Sequence, residues 1–363
     1  MINFKKIAQV LVERQLRIRK GEVVQINGGL HNIDFIEEIA VAVRKQGGFP
    51  MINIAWESLS FRSTNEIDDE YLKIPPNHLA QIESLVDCTI SVSPFKDPAY
   101  FRSIDTRKSI LKTEAGKIVQ EASIKKNSRR IGIGFPTPEQ AKNYNVDFNS
   151  YSRLFWEAVT ADLDEIYSLC QKLRERLSTG ERIRIISPHG DELNFSIKGR
   201  RINMDDGVIS DEDLRTGDIT ANLPFGEVYI APIEESVEGS STYPVVFHQG
   251  QRIENLRIVF EGGRMVSSSA EKNHEVFLEA MVPHSGDKTL LGEFGIGTNH
   301  RVNEPMGDNL LDEKTFGSIH LALGENRSYG GNNSSSLHWD MIMLSPSVYI
   351  NDEIFLQNGK YIL

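Results

Sequence analysis

His338 and Asp340 stand two residues apart in His338-Trp339-Asp340, preceded by a polar, glycine-rich loop (Tyr329, Gly330, Gly331, Asn332, Asn333, Ser334) and followed by an apolar run, Met341 to Leu344. Alternation along a strand would send imidazole and carboxylate to one face while Trp339 packs behind. A His satisfied by a neighbouring carboxylate on a sheet face has the same pattern, so the pair alone does not declare a ligand site. A second histidine, His320, sits near the head of Ser318-Ile319-His320-Leu321-Ala322-Leu323-Gly324, eighteen residues before His338. Two carboxylates lie in unusually apolar, glycine-flanked surroundings: Glu227 in Leu223-Pro224-Phe225-Gly226-Glu227-Val228, and Glu293 in Leu290-Leu291-Gly292-Glu293-Phe294-Gly295-Ile296-Gly297. Burying a glutamate in such a run is costly unless something cationic meets it, and a divalent metal is the simplest partner. Taken singly, each Glu also fits a strand-end carboxylate facing solvent or an arginine.

Other motifs carry less. The remaining seven histidines (His31, His78, His189, His248, His274, His284, His300) have no convincing partner at ligand spacing. His189-Gly190-Asp191 repeats the His-x-Asp pattern, but the segment after it, LNFSIKGRR, reads as an ordinary hairpin strand, so this pair reads as structural. Gly292 to Gly297 has the order G-x-x-G-x-G, and Thr298-Asn299-His300 is not a helix start with a later acidic ribose ligand, which excludes a dinucleotide loop. No P-loop and no Gly-x-Ser-x-Gly elbow occurs, leaving nucleophilic serine chemistry without a foothold.

The elements that would position these residues fall into two halves. From Asn3 to about Asn145, helical stretches at 4–19, 33–46, 76–84 and 109–125 alternate with apolar runs at Val23 to Ile26, Met51 to Ile54, Val86 to Val92 and Ile131 to Gly134. This is a βαβ pattern and predicts an α/β domain with a mostly parallel sheet over 1–148. Apolar positions Leu154, Val159, Leu163, Ile166, Leu169, Leu173 and Leu177 keep helical spacing up to Gly180, which predicts one long helix over 149–178 bridging the halves. Close-spaced strand signals follow at Ile183 to Ile186, Leu193 to Ile197, Val228 to Ile230 and Ile258 to Phe260, so residues 149–363 read as an α+β domain with much antiparallel sheet.

Hydrophobic residues make up 39% and charged residues 25% of 363 residues, enough to close a sizeable core. The formal charge of −11 sets the field of the molecule against nucleic acid or an acidic membrane. No apolar run approaches the ~20 residues of a membrane-spanning helix. MINFKKIAQVLVERQL has interleaved charges where a signal peptide needs an uninterrupted apolar run, giving a cytoplasmic expectation. Two cysteines, Cys88 and Cys170, exclude a disulfide framework and a Cys-type zinc site, so a metal here needs histidines and carboxylates.

Taken together and in order, NLPFGEV, LLGEFGIGTN, IHLALG and GGNNSSSLHWD resemble the thermophilic-type metalloaminopeptidases, the family of aminopeptidase T, aminopeptidase S and PepS. The resemblance implies a pair of divalent metals, Zn²⁺ or Co²⁺ with Mn²⁺ or Mg²⁺ as alternatives, held by Glu227, Glu293, His320, His338 and Asp340. A further family carboxylate preceding the first His finds its nearest match in Glu313, at a longer spacing. The family tyrosine after His-x-Ala-x-Gly falls at Arg327 here; either Tyr329, two residues on, reaches the same spot or the transition state is stabilised differently. The implied activity is removal of N-terminal residues from short peptides by a water activated between two metals, with Glu293 or Glu227 as proton carrier. A homodimer whose N-terminal domains limit access is implied as well. The rival readings are another dinuclear metallohydrolase, acting on phosphoesters or another amide, and a peptide-binding protein of the same fold that has lost turnover.

Overall fold

The computed structural model describes residues 2–363, apart from the side chains at 99, 101 and 102. Four strands of the first half and one from further along the chain build a five-stranded parallel sheet in the order Phe49–Ala55, Val23–Gly29, Cys88–Val92, Arg129–Ile133, Thr220–Leu223. Val24, Ile26, Ile90, Val92, Ile131 and Ile133 are buried in its strands. The helix Ile33–Lys45 buries Phe35, Ile36, Ile39 and Val43, the 3.6-residue spacing that the sequence displays. The helix Thr106–Lys126 starts at Asp105, whose carboxylate accepts from Lys108 N at 3.0 Å, and stops at Asn127 in the left-handed conformation.

Two expectations need correction. The chain divides into compact units, but the first takes residues up to Asn143 together with Gly207–Leu223, and the second takes Tyr144–Asp206 with Pro224–Leu363. The excursion exists because Thr220–Leu223 pairs in parallel with Arg129–Ile133, adding a fifth strand from a distant segment that no local periodicity announces. The single helix expected over 149–178 is two helices, Phe148–Val159 and Leu163–Ser178, both within the second unit. Asp162 causes the break: its carboxylate accepts from Asp164 N and Glu165 N and starts a new helix instead of continuing the old one. The apolar spacing runs across the break because each helix separately buries its stripe.

The second unit contains two antiparallel sheets. Eight strands follow the order Arg264–Ser269, Gln251–Glu261, Glu238–His248, Glu192–Ser196, Arg182–Ile186, Ser347–Ile350, Glu353–Gln357, Lys360–Tyr361. Five more follow the order His338–Met343, Ile319–Gly324, Leu291–Gly297, Glu227–Ile230, Ile202–Asp205. Phe195 of the larger sheet meets Phe294 of the smaller edge-to-face at 5.4 Å. Every residue of Leu291–Gly297 and of Ile319–Gly324 is buried, so both faces of the smaller sheet are covered. Among the described residues no helix is long and apolar enough to cross a membrane.

Candidate metal centre

The smaller sheet collects the chemistry through its register. Glu293 is opposite Ala322 and Ala322 opposite Asp340; Gly295 is opposite His320; Glu227 is opposite Gly297 on one side and Asp205 on the other. Opposed residues share a face and alternate residues return to it, so Asp205, Glu227, Glu293, His320, His338 and Asp340 all point to one side. Two glycines clear that side. A Cβ at Gly295 would lie 1.9 Å from His320 Nε2, and one at Gly297 would lie 2.1 Å from the carbonyl oxygen of Thr315. The first leaves room for the imidazole, and the second lets the backbone of 313–315 rest directly on the sheet.

His338 Nε2 lies 3.3 Å from Asp340 Oδ2 and 3.5 Å from Glu293 Oε2. Its Nδ1 is 3.1 Å from the carbonyl oxygen of Glu325, which can only accept, so Nδ1 carries the hydrogen and Nε2 faces the carboxylates. Trp339, between the two, packs on Phe277 at 5.3 Å and His248 at 5.1 Å on the other face. His320 Nε2 donates to Glu293 Oε1 at 3.2 Å and lies 3.5 Å from Glu227 Oε2. Burial alone would lower both histidines. The Glu293 hydrogen bond and the charges of Glu227, Glu293 and Asp340 nevertheless push His320 up to about 9, and Asp340 and Glu293 hold His338 well above its usual range. Burial would raise Asp340, but His338, His320 and Lys314 pull it below the ordinary carboxylate range.

Such mutual shifts mark a pocket of negative charge seeking a cation. Ligand atoms of Glu293, His338 and Asp340 lie within 4.8 Å of one another, and among the described residues no hydrogen bond reaches the buried Glu227 Oε2 or Asp340 Oδ1. Buried carboxylate oxygens without donors are rare, and a divalent ion held by Glu293, His338 and Asp340 would satisfy that of Asp340. The donor set is imidazole and carboxylate without thiolate, because Cys170 Sγ turns to Thr298 Oγ1 at 3.3 Å. The residues present fit a first-row divalent metal held by Glu293, His338 and Asp340.

Residues 2–353 match the profile of the family described as thermophilic metalloprotease (M29). The chain belongs to that family. Aminopeptidase AmpS of Bacillus subtilis (strain 168) is 34% identical over 110 residues, 29% of this chain and 26% of the relative. Aminopeptidase T of Thermus aquaticus is 32% identical over 149 residues, 36% of each. The aligned segments thus span only about a quarter to a third of those relatives' own length. Among solved structures, wild-type AmpT from Thermus thermophilus superposes with a TM-score of 0.77 at 20% identity, covering 99% of both chains. The 2,5-dihydroxypyridine dioxygenase of Pseudomonas putida KT2440 superposes with a TM-score of 0.67 at 12% identity, covering 99% of this chain and 96% of that one. At such identities the two structures show a shared fold, and the second carries the name of an oxygenase.

Tyr329 is buried, with its hydroxyl donating to Glu325 O at 2.6 Å and lying 3.3 Å from His338 Nδ1. Burial and the nearby charges of Glu293 and Asp340 raise its phenol far above the ordinary value. The loop that carries it is tied down by Glu234, which accepts from Asn332 N at 2.7 Å and Asn326 Nδ2 at 3.0 Å and pairs with Arg200. Glu313 stands outside the Glu293, His338 and Asp340 group: its Oε2 meets Lys314 Nζ at 3.1 Å. Lys314 and Asp205 escaped the sequence reading. Only Glu313 of the run Asp312-Glu313-Lys314 stands out by type and order along the chain, although the alternation in Ile202-Asn203-Met204-Asp205 does carry a strand signal. His189 is exposed in a turn, and Asp191 is taken by Thr242, Arg257, Ser187 and Ser240. Beside His338 opens a cavity of about 390 Å³ whose walls include Phe247, His248, Leu337 and Trp339.

Proposed function

We propose that this M29 member is a metal-dependent aminopeptidase that removes N-terminal residues from short peptides. The observation that carries the reading is the Glu293, His338 and Asp340 group on one face of the smaller sheet, its two carboxylates buried and His338 reaching the surface, where it also forms part of the wall of the cavity of about 390 Å³. A divalent ion bound there, Zn²⁺ or Co²⁺ by donor chemistry, would supply Lewis acidity and a water of lowered pKa.

The chain's own groups divide the remaining work. Glu293 is the ligand rather than the base, since its two oxygens are turned to His320 and His338. Glu227 is the proton carrier: Oε1 is fixed by Lys314 while Oε2 accepts no hydrogen bond and is free to take a proton and pass it to the leaving amine. Tyr329 stays protonated and holds the loop edge against His338, a positioning role. The surplus of carboxylates favours an ammonium at the substrate's end, which supports a free N-terminus as the requirement. A phosphoester substrate gains no such support, because Lys314 is sequestered and Arg327 lies 60% exposed against Glu325. A cytoplasmic location and a homodimer belong to the same proposal, on the strength of the family resemblance.

Unblocked and N-acetylated dipeptides test it. Free amino acid is expected from the unblocked set alone, lost on chelation and restored by Zn²⁺ or Co²⁺. Equal cleavage of the acetylated set, or no release with any added metal, would remove the aminopeptidase reading.

A further inference from the structure

Lys314 has no solvent-exposed side-chain surface, and its ammonium faces three carboxylates: Glu227 Oε1 at 2.6 Å, Glu313 Oε2 at 3.1 Å and Asp205 Oδ2 at 3.4 Å. The ammonium donates hydrogen bonds to Glu227 and Glu313 and makes a longer ion pair with Asp205. The ladder explains why a cation must be there. Asp205 and Glu227 are directly opposed on neighbouring strands, a like-charge pair that destabilises unless something positive joins it. Lys314 is also held rigidly from behind. The Lys314 carbonyl accepts from Asn299 N at 3.0 Å, and the turn before it is closed by Asp312, whose carboxylate accepts from Met306 N and Gly307 N at 2.7 Å each.

We infer that the Lys314 ammonium is a built-in cation standing where a second metal ion would otherwise be bound, so that each chain holds one divalent ion, on Glu293, His338 and Asp340. The carboxylates a second ion would need, Glu227 and Glu313, each already give an oxygen to Lys314. His320, the remaining donor, spends Nε2 as a hydrogen-bond donor to Glu293, and its buried Nδ1 has no partner to orient it as a ligand. His338 shows the opposite arrangement, with Nδ1 anchored on a carbonyl and Nε2 turned to two carboxylates. Only one of the two histidines is thus presented as a ligand. Lys314 also explains how Glu227 can stay folded into the sheet with or without a bound metal.

The inference deepens the aminopeptidase reading and rests on its metal group, but metal content decides it. Chelated full-length protein is equilibrated by dialysis against micromolar Zn²⁺ or Mn²⁺ and the bound metal counted by mass spectrometry. One ion per chain is expected, falling to near zero in His338→Ala. Lys314→Met, similar in length and uncharged, is expected to take up a second ion under the same conditions once circular dichroism shows it folded. Two ions in the wild-type protein, or one in a folded Lys314→Met, would overturn the inference. Should that variant not fold, the wild-type count still decides. The two readings fail separately: one ion without amino-acid release from dipeptides defeats the peptidase and leaves Lys314 in its place, whereas two ions with release does the reverse.

Discussion

At the scale of single residues, the two histidines differ in what their second nitrogen touches, and this difference assigns their work. His338 and Asp340 serve one ion in the proposed site, so alanine at either should remove most metal-dependent turnover, with the double change costing little more than one. His189→Ala, from the look-alike pair, should leave turnover near wild type; parallel dipeptide assays check both. Asp191 is a stability residue. Burial would raise its carboxyl, but bonds from Thr242, Arg257, Ser187 and Ser240 hold it below the ordinary 3.8. A carboxyl that ionises more readily folded than unfolded contributes fully above the unfolded value and loses that contribution as pH falls through the lower folded one. Asp191→Asn should therefore cost about 1–3 kcal/mol near neutrality, and the gap to wild type should close below about pH 3–4; denaturant melts across pH measure it. The residues legible beforehand were those whose side chains obey strand alternation, His338 with Asp340 above all. Lys314 was hidden because its side chain crosses from a loop onto another strand's face, a contact that no spacing records. For the same reason the contact between Glu313 and Lys314 could not be read from order along the chain.

At the scale of elements, the site depends on a strand that is small where its neighbour is large. Gly295→Ala would drive a methyl into His320 Nε2, and neither can yield within a fully buried sheet. The variant should lose about 1–3 kcal/mol of stability and should fail to retain metal at wild-type levels, which melts and metal analysis together would show. A stable, metal-replete Gly295→Ala would mean that the imidazole has another place to go. Most elements were legible from the chain, because the parallel sheet's apolar runs and the amphipathic stripe of Ile33–Lys45 are local signals. The break between Phe148–Val159 and Leu163–Ser178 was masked by apolar positions that happen to keep one period across it, although Asp162 announces a new start to a reader who weighs caps above periodicity. The pairing of Thr220–Leu223 was not legible at all, being a decision of tertiary register.

At the scale of the whole molecule, the site belongs entirely to the second unit, assembled from residues 202 to 340 of its smaller sheet and the adjoining loops. Light scattering should find a particle of two chains; a stable monomer would remove the proposed dimer and leave the metal group untouched. The two thiols offer a different handle. Cys88 is buried in a strand of the first unit and Cys170 in a helix of the second, and burial pushes Cys88 up to about 12 and Cys170 still higher. Neither sulfur is nucleophilic or reachable while its own surroundings are closed. A slow alkylating reagent therefore acts as a pair of clocks, one in each half of the chain. Peptide mapping of the label over time would read the opening of the two units independently, in one tube and without engineering a probe.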